Sequence, residues 1–182
     1  MRLTHQKNLF FYFSFFLFVL FAASACKSPK GITSTDTATS ASTKNITKKY
    51  AQLLGVNEKE VINPQLYSFI DEWYGAPYKY GGKDKQGIDC SNFTAILYKE
   101  AFHKSILGSS SSLFEQCKVI SKNELEQGDL LFFKIESNDV SHIAVYLQNN
   151  KFVHATTKKG VMIDDLDEAY YKKYFYKAGR IK

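Results

Sequence analysis

Gly87-Ile88-Asp89-Cys90-Ser91-Asn92-Phe93-Thr94-Ala95-Ile96-Leu97 opens a helix on a cysteine. Asp89 suits the N-cap, because its carboxylate can accept from the unpaired N–H groups of the first turn. Phe93, Ile96, Leu97 and Ala101 then share one face of a helix predicted over residues 90–102. A thiol in that first turn sits at the positive end of the helix dipole, beside free N–H groups that favour thiolate. The Asp89 carboxylate opposes that effect, so the cysteine needs a further partner.

Downstream, His142 begins the strand-like run Ser141-His142-Ile143-Ala144-Val145-Tyr146-Leu147, and His154 lies in Lys151-Phe152-Val153-His154-Ala155. Strand alternation puts His142, Ala144 and Tyr146 on one face and Ile143, Val145 and Leu147 on the other. Whether the two imidazoles share a face depends on the connection. A two-residue turn at Asn149 and Asn150 pairs Val145 with His154 and separates them. A three-residue loop over residues 148–150 pairs Ala144 with His154 and makes the histidines diagonal neighbours. In that register Cys90 is a nucleophile, His142 its base and His154 the group that fixes the tautomer of His142. N–H groups at the helix start would stabilise an oxyanion.

Other readings of the same residues stand beside this one. Cys90, His142 and His154 could form a zinc site, but no C-x-x-C or H-E-x-x-H pair anchors it. Cys117 lies in the apolar run from Leu113 to Ile120 and reads as a small buried thiol. In an oxidising compartment a Cys90–Cys117 disulfide would abolish the nucleophile. His103 follows Phe102 at a helix end and reads as solvated.

Outward from this centre, residues 65–73 place Leu66, Phe69, Ile70 and Trp73 on one helical face, and residues 46–54 suit a short helix. Residues 130–134, 141–147, 151–156, 160–163 and 176–181 read as strands. Helices first and an antiparallel meander afterwards is an α+β order. Tyr170, Tyr171, Tyr174, Phe175 and Tyr176 should cover the sheet, with no functional role assigned. Residues 27–44 are rich in Ser and Thr and read as a flexible linker, with a reach on the order of 25 Å. The expected organisation is a helical extension over residues 45–64 and a main domain over residues 65–182.

The 182 residues carry 24 Lys and Arg against 18 Asp and Glu. The excess is mild and no basic stripe is present, which excludes a typical nucleic-acid binder. Residues 1–25 have a charged start (Arg2, Lys7), an apolar run and a small-residue close at Ala23-Ser24-Ala25, the pattern of a secretory signal peptide. Cys26 follows where a bacterial lipoprotein is acylated, giving a membrane anchor. Ordinary cleavage leaving a soluble periplasmic or secreted protein is the alternative.

Tyr78-Lys79-Tyr80-Gly81-Gly82, the Asp89-Cys90-Ser91 segment, Gly128-Asp129-Leu130-Leu131-Phe132-Phe133, the His142 strand and Phe152-Val153-His154-Ala155 occur in unbroken order. Together they resemble the motifs of NlpC/p60 cell-wall peptidases. The resemblance implies a papain-like α+β fold, with the nucleophile at a helix N-terminus packed on an antiparallel sheet, and a Cys90-His142-His154 triad. It implies hydrolysis of amide bonds in peptidoglycan stem peptides or muropeptides, typically between γ-D-glutamate and a diamino acid, in the bacterial cell envelope. Tyr78 falls at the position beside the oxyanion site, and Asp89 and Ser141 at positions that help to hold substrate. No cofactor and no metal is implied, and a monomer is expected. Asn92 stands where relatives often have Gly or Ala, and its bulk would narrow the cleft. An amidase or acyltransferase on another amide or ester, and a non-catalytic cell-wall-binding lipoprotein, are the alternative functions.

Overall fold

The computed structural model describes residues 34–182. Residues 1–33, on which the expected signal peptide, the Cys26 lipidation site and the start of the expected linker fall, lie outside the described residues. Among the described residues, no helix is long and apolar enough to cross a membrane.

The first element, α1 (Ser34–Leu54), is longer than expected. It takes up residues 34–44, which the sequence suggested as linker. Its packed end is the part anticipated, with Tyr50, Ala51 and Leu54 buried. Once a helix is nucleated by such packing, each added residue brings one more hydrogen bond. No Gly or Pro between Gly31 and Gly55 stops that propagation upstream. The helix lies against α2 (Pro64–Trp73), with the Tyr50 and Tyr67 rings 4.9 Å apart. Asn63 caps α2 by accepting from the Leu66 N–H at 3.1 Å, and Pro64 occupies the first helical position, where its missing N–H costs nothing.

A two-residue hairpin follows, β1 (Lys83–Asp84) with β2 (Gly87–Ile88). Next comes α3 (Cys90–Phe102), with the bounds read from the sequence. The Ser-rich stretch after α3 holds α4 (Ser110–Glu115), capped by Ser109, whose hydroxyl accepts from the Ser112 N–H at 3.2 Å. The remaining elements are β3 (Cys117–Ile120), β4 (Leu130–Phe133), β5 (His142–Gln148), β6 (Lys151–Thr156), β7 (Gly160–Asp165), α5 (Ala169–Tyr174) and β8 (Phe175–Ile181). They form a six-stranded antiparallel sheet in the order β3-β8-β4-β5-β6-β7. The meander from β4 to β7 is the expected one, and β8 returns to insert between β3 and β4. Arg180 on β8 donates from Nε and Nη2 to the buried Asp129 carboxylate at 2.7 and 2.8 Å, which ties the last strand to the start of β4.

The sheet buries both faces. Ile143, Val145, Leu147, Val153 and Ala155 pack in the larger core with Phe93 and Leu97 of α3. Leu131, Phe133, Ala144, Tyr146 and Phe152 form a second core with Tyr171 of α5. Phe93 has no exposure and touches Phe69 and Trp73 of α2, so α3 is clamped between α2 and the sheet. That clamp fixes where its first residue, Cys90, emerges.

Candidate active site

Cys90 is positioned by the cap in front of it. Asp89 is buried, and its two carboxylate oxygens accept from four donors: the Asn92 N–H at 2.7 Å, Ser91 Oγ at 2.9 Å, Asn92 Nδ2 at 3.0 Å and the Gly81 N–H at 2.9 Å. One carboxylate therefore caps α3 and holds the loop after Tyr80. The Asn92 amide is turned onto Asp89, so its bulk is taken up by the cap. The same loop needs Gly82, since a Cβ there would lie 2.1 Å from the Gly87 carbonyl oxygen. Tyr78 bridges to Ile88 and lies next to Cys90.

Cys90 is only 8% exposed. Burial pushes its thiol up to about 11 and Asp89 adds to the rise. The N–H groups of Ile143, Ser91 and Cys90 face the sulfur and oppose it without prevailing. The sequence suggested that the helix start would favour thiolate; in the folded protein desolvation outweighs the helix terms and favours the thiol. The Ile143 N–H brings Cys90 against β5, one residue from His142.

His142 and His154 share a face, and their rings meet, with His142 Nε2 2.7 Å from His154 Nδ1. The connection between them combines the two forms considered from sequence. Asn149 and Asn150 make a two-residue turn, both with positive φ (50° and 59°), closing the pair Gln148–Lys151. A bulge at Leu147 then shifts the register by one residue, so Tyr146 faces Phe152 and Val145 faces Val153. The expected same-face arrangement is reached through a bulged strand, where a longer loop was suggested.

Both imidazoles are pushed toward the neutral form. Burial drives His142 well below the ordinary histidine value and its neighbour His154 adds to this, with Asp164 only partly offsetting them. Burial also lowers His154 against the opposing pull of Asp164. His154 Nε2 lies 2.9 Å from Asp164 Oδ2 on β7, and the Tyr171 hydroxyl of α5 donates to the same oxygen while standing 3.4 Å from His154 Nε2. Burial raises the Asp164 carboxyl, but the bonds from His154 and Tyr171 outweigh it and leave it below its usual range.

A cavity of about 400 Å³ opens in front of these groups, lined by Tyr78, Ser141, His142, His154, Lys159 and Tyr171 among others. Ser141 lies at its edge, but its hydroxyl is already engaged, accepting from the Ile135 N–H at 2.9 Å and donating to the Ile135 carbonyl at 3.1 Å. Both Cys90 and Cys117 are free thiols, and Cys117 donates to the Leu113 carbonyl at 3.2 Å. Among the described residues, no group of three or more His, Cys, Asp or Glu side chains is placed to hold a metal ion.

The family model described as NlpC/P60 family matches residues 75–180. The chain belongs to the NlpC/P60 family. It is 40% identical over 121 residues to the Escherichia coli (strain K12) protein named probable endopeptidase NlpC, an alignment spanning 66% of this chain and 76% of that one. It is 38% identical over 110 residues to murein DD-endopeptidase MepS/murein LD-carboxypeptidase of the same organism, covering 60% of this chain and 58% of that protein. The fold resembles the crystal structure of a Staphylococcus aureus Mu50 protein described as similar to lipoprotein, NLP/P60 family. The TM-score is 0.58 and the identity 29%, over 64% of this chain and 40% of that one.

The NlpC/P60 domain thus places His142 and His154 in ring contact, the Ile143 N–H beside His142 on the Cys90 sulfur, and Tyr78 next to Cys90. Asp89 it assigns to the helix cap, with both oxygens occupied. Two residues of the site escaped the sequence reading. Asp164 belongs to an acidic run after a strand expected to end at Ile163, but the strand continues to Asp165. His154 pairs with Met162, so Asp164 is its diagonal neighbour on the same face. Extending the alternation two residues would have found it. Tyr171 lay in an aromatic cluster that gave no signal of its own.

Proposed function

We propose that this chain is a lipid-anchored cysteine endopeptidase that hydrolyses amide bonds in peptidoglycan stem peptides. The observation that carries the reading is the His142–His154 contact at 2.7 Å, at the edge of a cavity and beside the strand residue whose N–H faces the Cys90 sulfur. The names of the relatives support it, one being a probable endopeptidase and the other a murein endopeptidase.

The chemistry follows from the resting charges. A neutral thiol and a neutral imidazole exchange one proton as the carbonyl carbon of the scissile amide approaches. The S–H bond breaks, an S–C bond forms, and His142 holds the proton. The carbonyl oxygen becomes an oxyanion, for which the first N–H groups of α3 and the Tyr78 hydroxyl are the donors at hand. The C–N bond then breaks, His142 passes its proton to the departing amine, and a thioester on Cys90 remains. Water, deprotonated by His142, hydrolyses the thioester and returns the thiol. His154 orients His142 throughout.

The proposed bond is that between γ-D-glutamate and a diamino acid. Murein DD-endopeptidase and LD-carboxypeptidase are the activities in the name of one relative, and each leaves different new ends. Mass spectrometry of muropeptides released from purified sacculi distinguishes them. Cys90→Ala should abolish release, and undiminished release would overturn the reading. The proposed anchor at Cys26 rests on its place after Ala23-Ser24-Ala25, and several acyl chains would hold the protein stably at a membrane. Cys26→Ser should move it from the membrane fraction to the soluble one; retention in the membrane fraction would exclude lipidation there.

A further inference from the structure

The contacts behind the histidines form one chain, from His142 through His154 to Asp164, with Tyr171 closing it from α5. We propose that Asp164 is a positioning residue that sets the tautomers of both histidines, and that it does so through hydrogen bonding to His154 Nε2. This rests on the reaction proposed above for the same site.

The argument counts protons. A carboxylate oxygen only accepts, so the ring nitrogen 2.9 Å from Asp164 Oδ2 must carry the hydrogen. A neutral imidazole has one N–H, so His154 Nδ1 is bare. A bare nitrogen 2.7 Å from His142 Nε2 accepts from it, which puts the only proton of neutral His142 on Nε2. Nδ1 of His142 is then left with a free lone pair, the form a base must have to take a thiol proton. If His154 were protonated instead on Nδ1, the pattern would reverse along the whole chain and His142 would present N–H where a base is needed.

The surroundings favour the first pattern. Tyr171 donates to the same Asp164 oxygen and helps keep the carboxylate ionised, and its ring packs 5.4 Å from that of His154. Lys159 in the β6–β7 turn acts in the same direction on Asp164, while Glu168 ahead of α5 adds negative charge near His154. Phe133 and Phe152 pack against the two imidazoles and offer no competing acceptor. When His142 becomes an imidazolium during the reaction, it still donates through Nε2, so the arrangement need not change as charge develops.

The test combines ring-nitrogen NMR at pH 7 with kinetics on muropeptides. In the wild type, His142 should carry its proton on Nε2 and show Nδ1 as a bare, pyridine-type nitrogen. In Asp164→Asn the side-chain amide can present an N–H to His154 Nε2, so part or all of the His142 population should move its proton to Nδ1. With that change, kcat should fall on the order of 100-fold while KM stays within about twofold. An Asp164→Asn protein with unchanged tautomers and kcat within about threefold of the wild type overturns the proposal. The wild-type measurement needs no variant, so a misfolded Asp164→Asn protein does not shield the idea: a wild-type His142 protonated on Nδ1 also overturns it. Neither NMR reading requires substrate. Wild-type protein that cleaves no muropeptide would overturn the functional reading alone, and a wrong tautomer in an active enzyme would overturn the relay alone.

Discussion

Asp89 and Asp164 are carboxylates on opposite sides of one site, and they are used differently. Asp89 spends its oxygens on backbone N–H groups and two neighbouring side chains, all within its own helix start and the loop before it. Asp164 receives one ring nitrogen and one phenol, both side chains on other elements, β6 and α5. The first fixes where an atom sits. The second fixes where a proton sits. A carboxylate near a nucleophile can therefore matter through position or through protonation, and its donors reveal which.

The two roles separate in experiment. The largest effect expected is on turnover in Asp164→Asn, the hundredfold loss set out above, with a melting temperature close to the wild type. Asp89→Ala should do the converse first, costing about 2 kcal/mol of stability through the lost cap and the freed Gly81 N–H. Thermal denaturation measures this, and an Asp89→Ala protein as stable as the wild type would end the assignment of Asp89 to the helix cap. Smaller in amplitude, but sharper in sign, is the response to pH. With the thiol raised to about 11, alkylation of Cys90 by iodoacetamide should be slow at pH 7 and accelerate steadily toward pH 11. Because both imidazoles are held below 6.5, the acid limb of kcat/KM should lie below that value. Rapid alkylation, independent of pH between 5 and 8, would instead show a resting thiolate–imidazolium pair.

Much of this was legible in the residues because the signals were local. The α3 bounds follow from Asp89 and the spacing of Phe93, Leu97 and Ala101, and the β6 bounds from a short alternating run closed by turn residues. What was not legible depended on partners far along the chain. β3 is only four residues long and is defined by its pairing with β8, which no local pattern announces. The bulge at Leu147 exists because Gln148 pairs with Lys151 across a tight turn while Val145 pairs with Val153, a compromise visible only once both strands are placed. The electrostatics of Cys90 divide the same way: the helix dipole can be read from a cap and a spacing, but desolvation depends on burial against the sheet, where the Ile143 N–H meets the sulfur.

That desolvation has a chemical consequence beyond the order of proton transfer. Sulfenic acid formation and mixed-disulfide exchange both begin from an exposed thiolate. Cys90 is only 8% exposed, and its burial disfavours the charged form. The same enclosure limits the access of an oxidant, so Cys90 is expected to resist sulfenic acid formation in the absence of substrate.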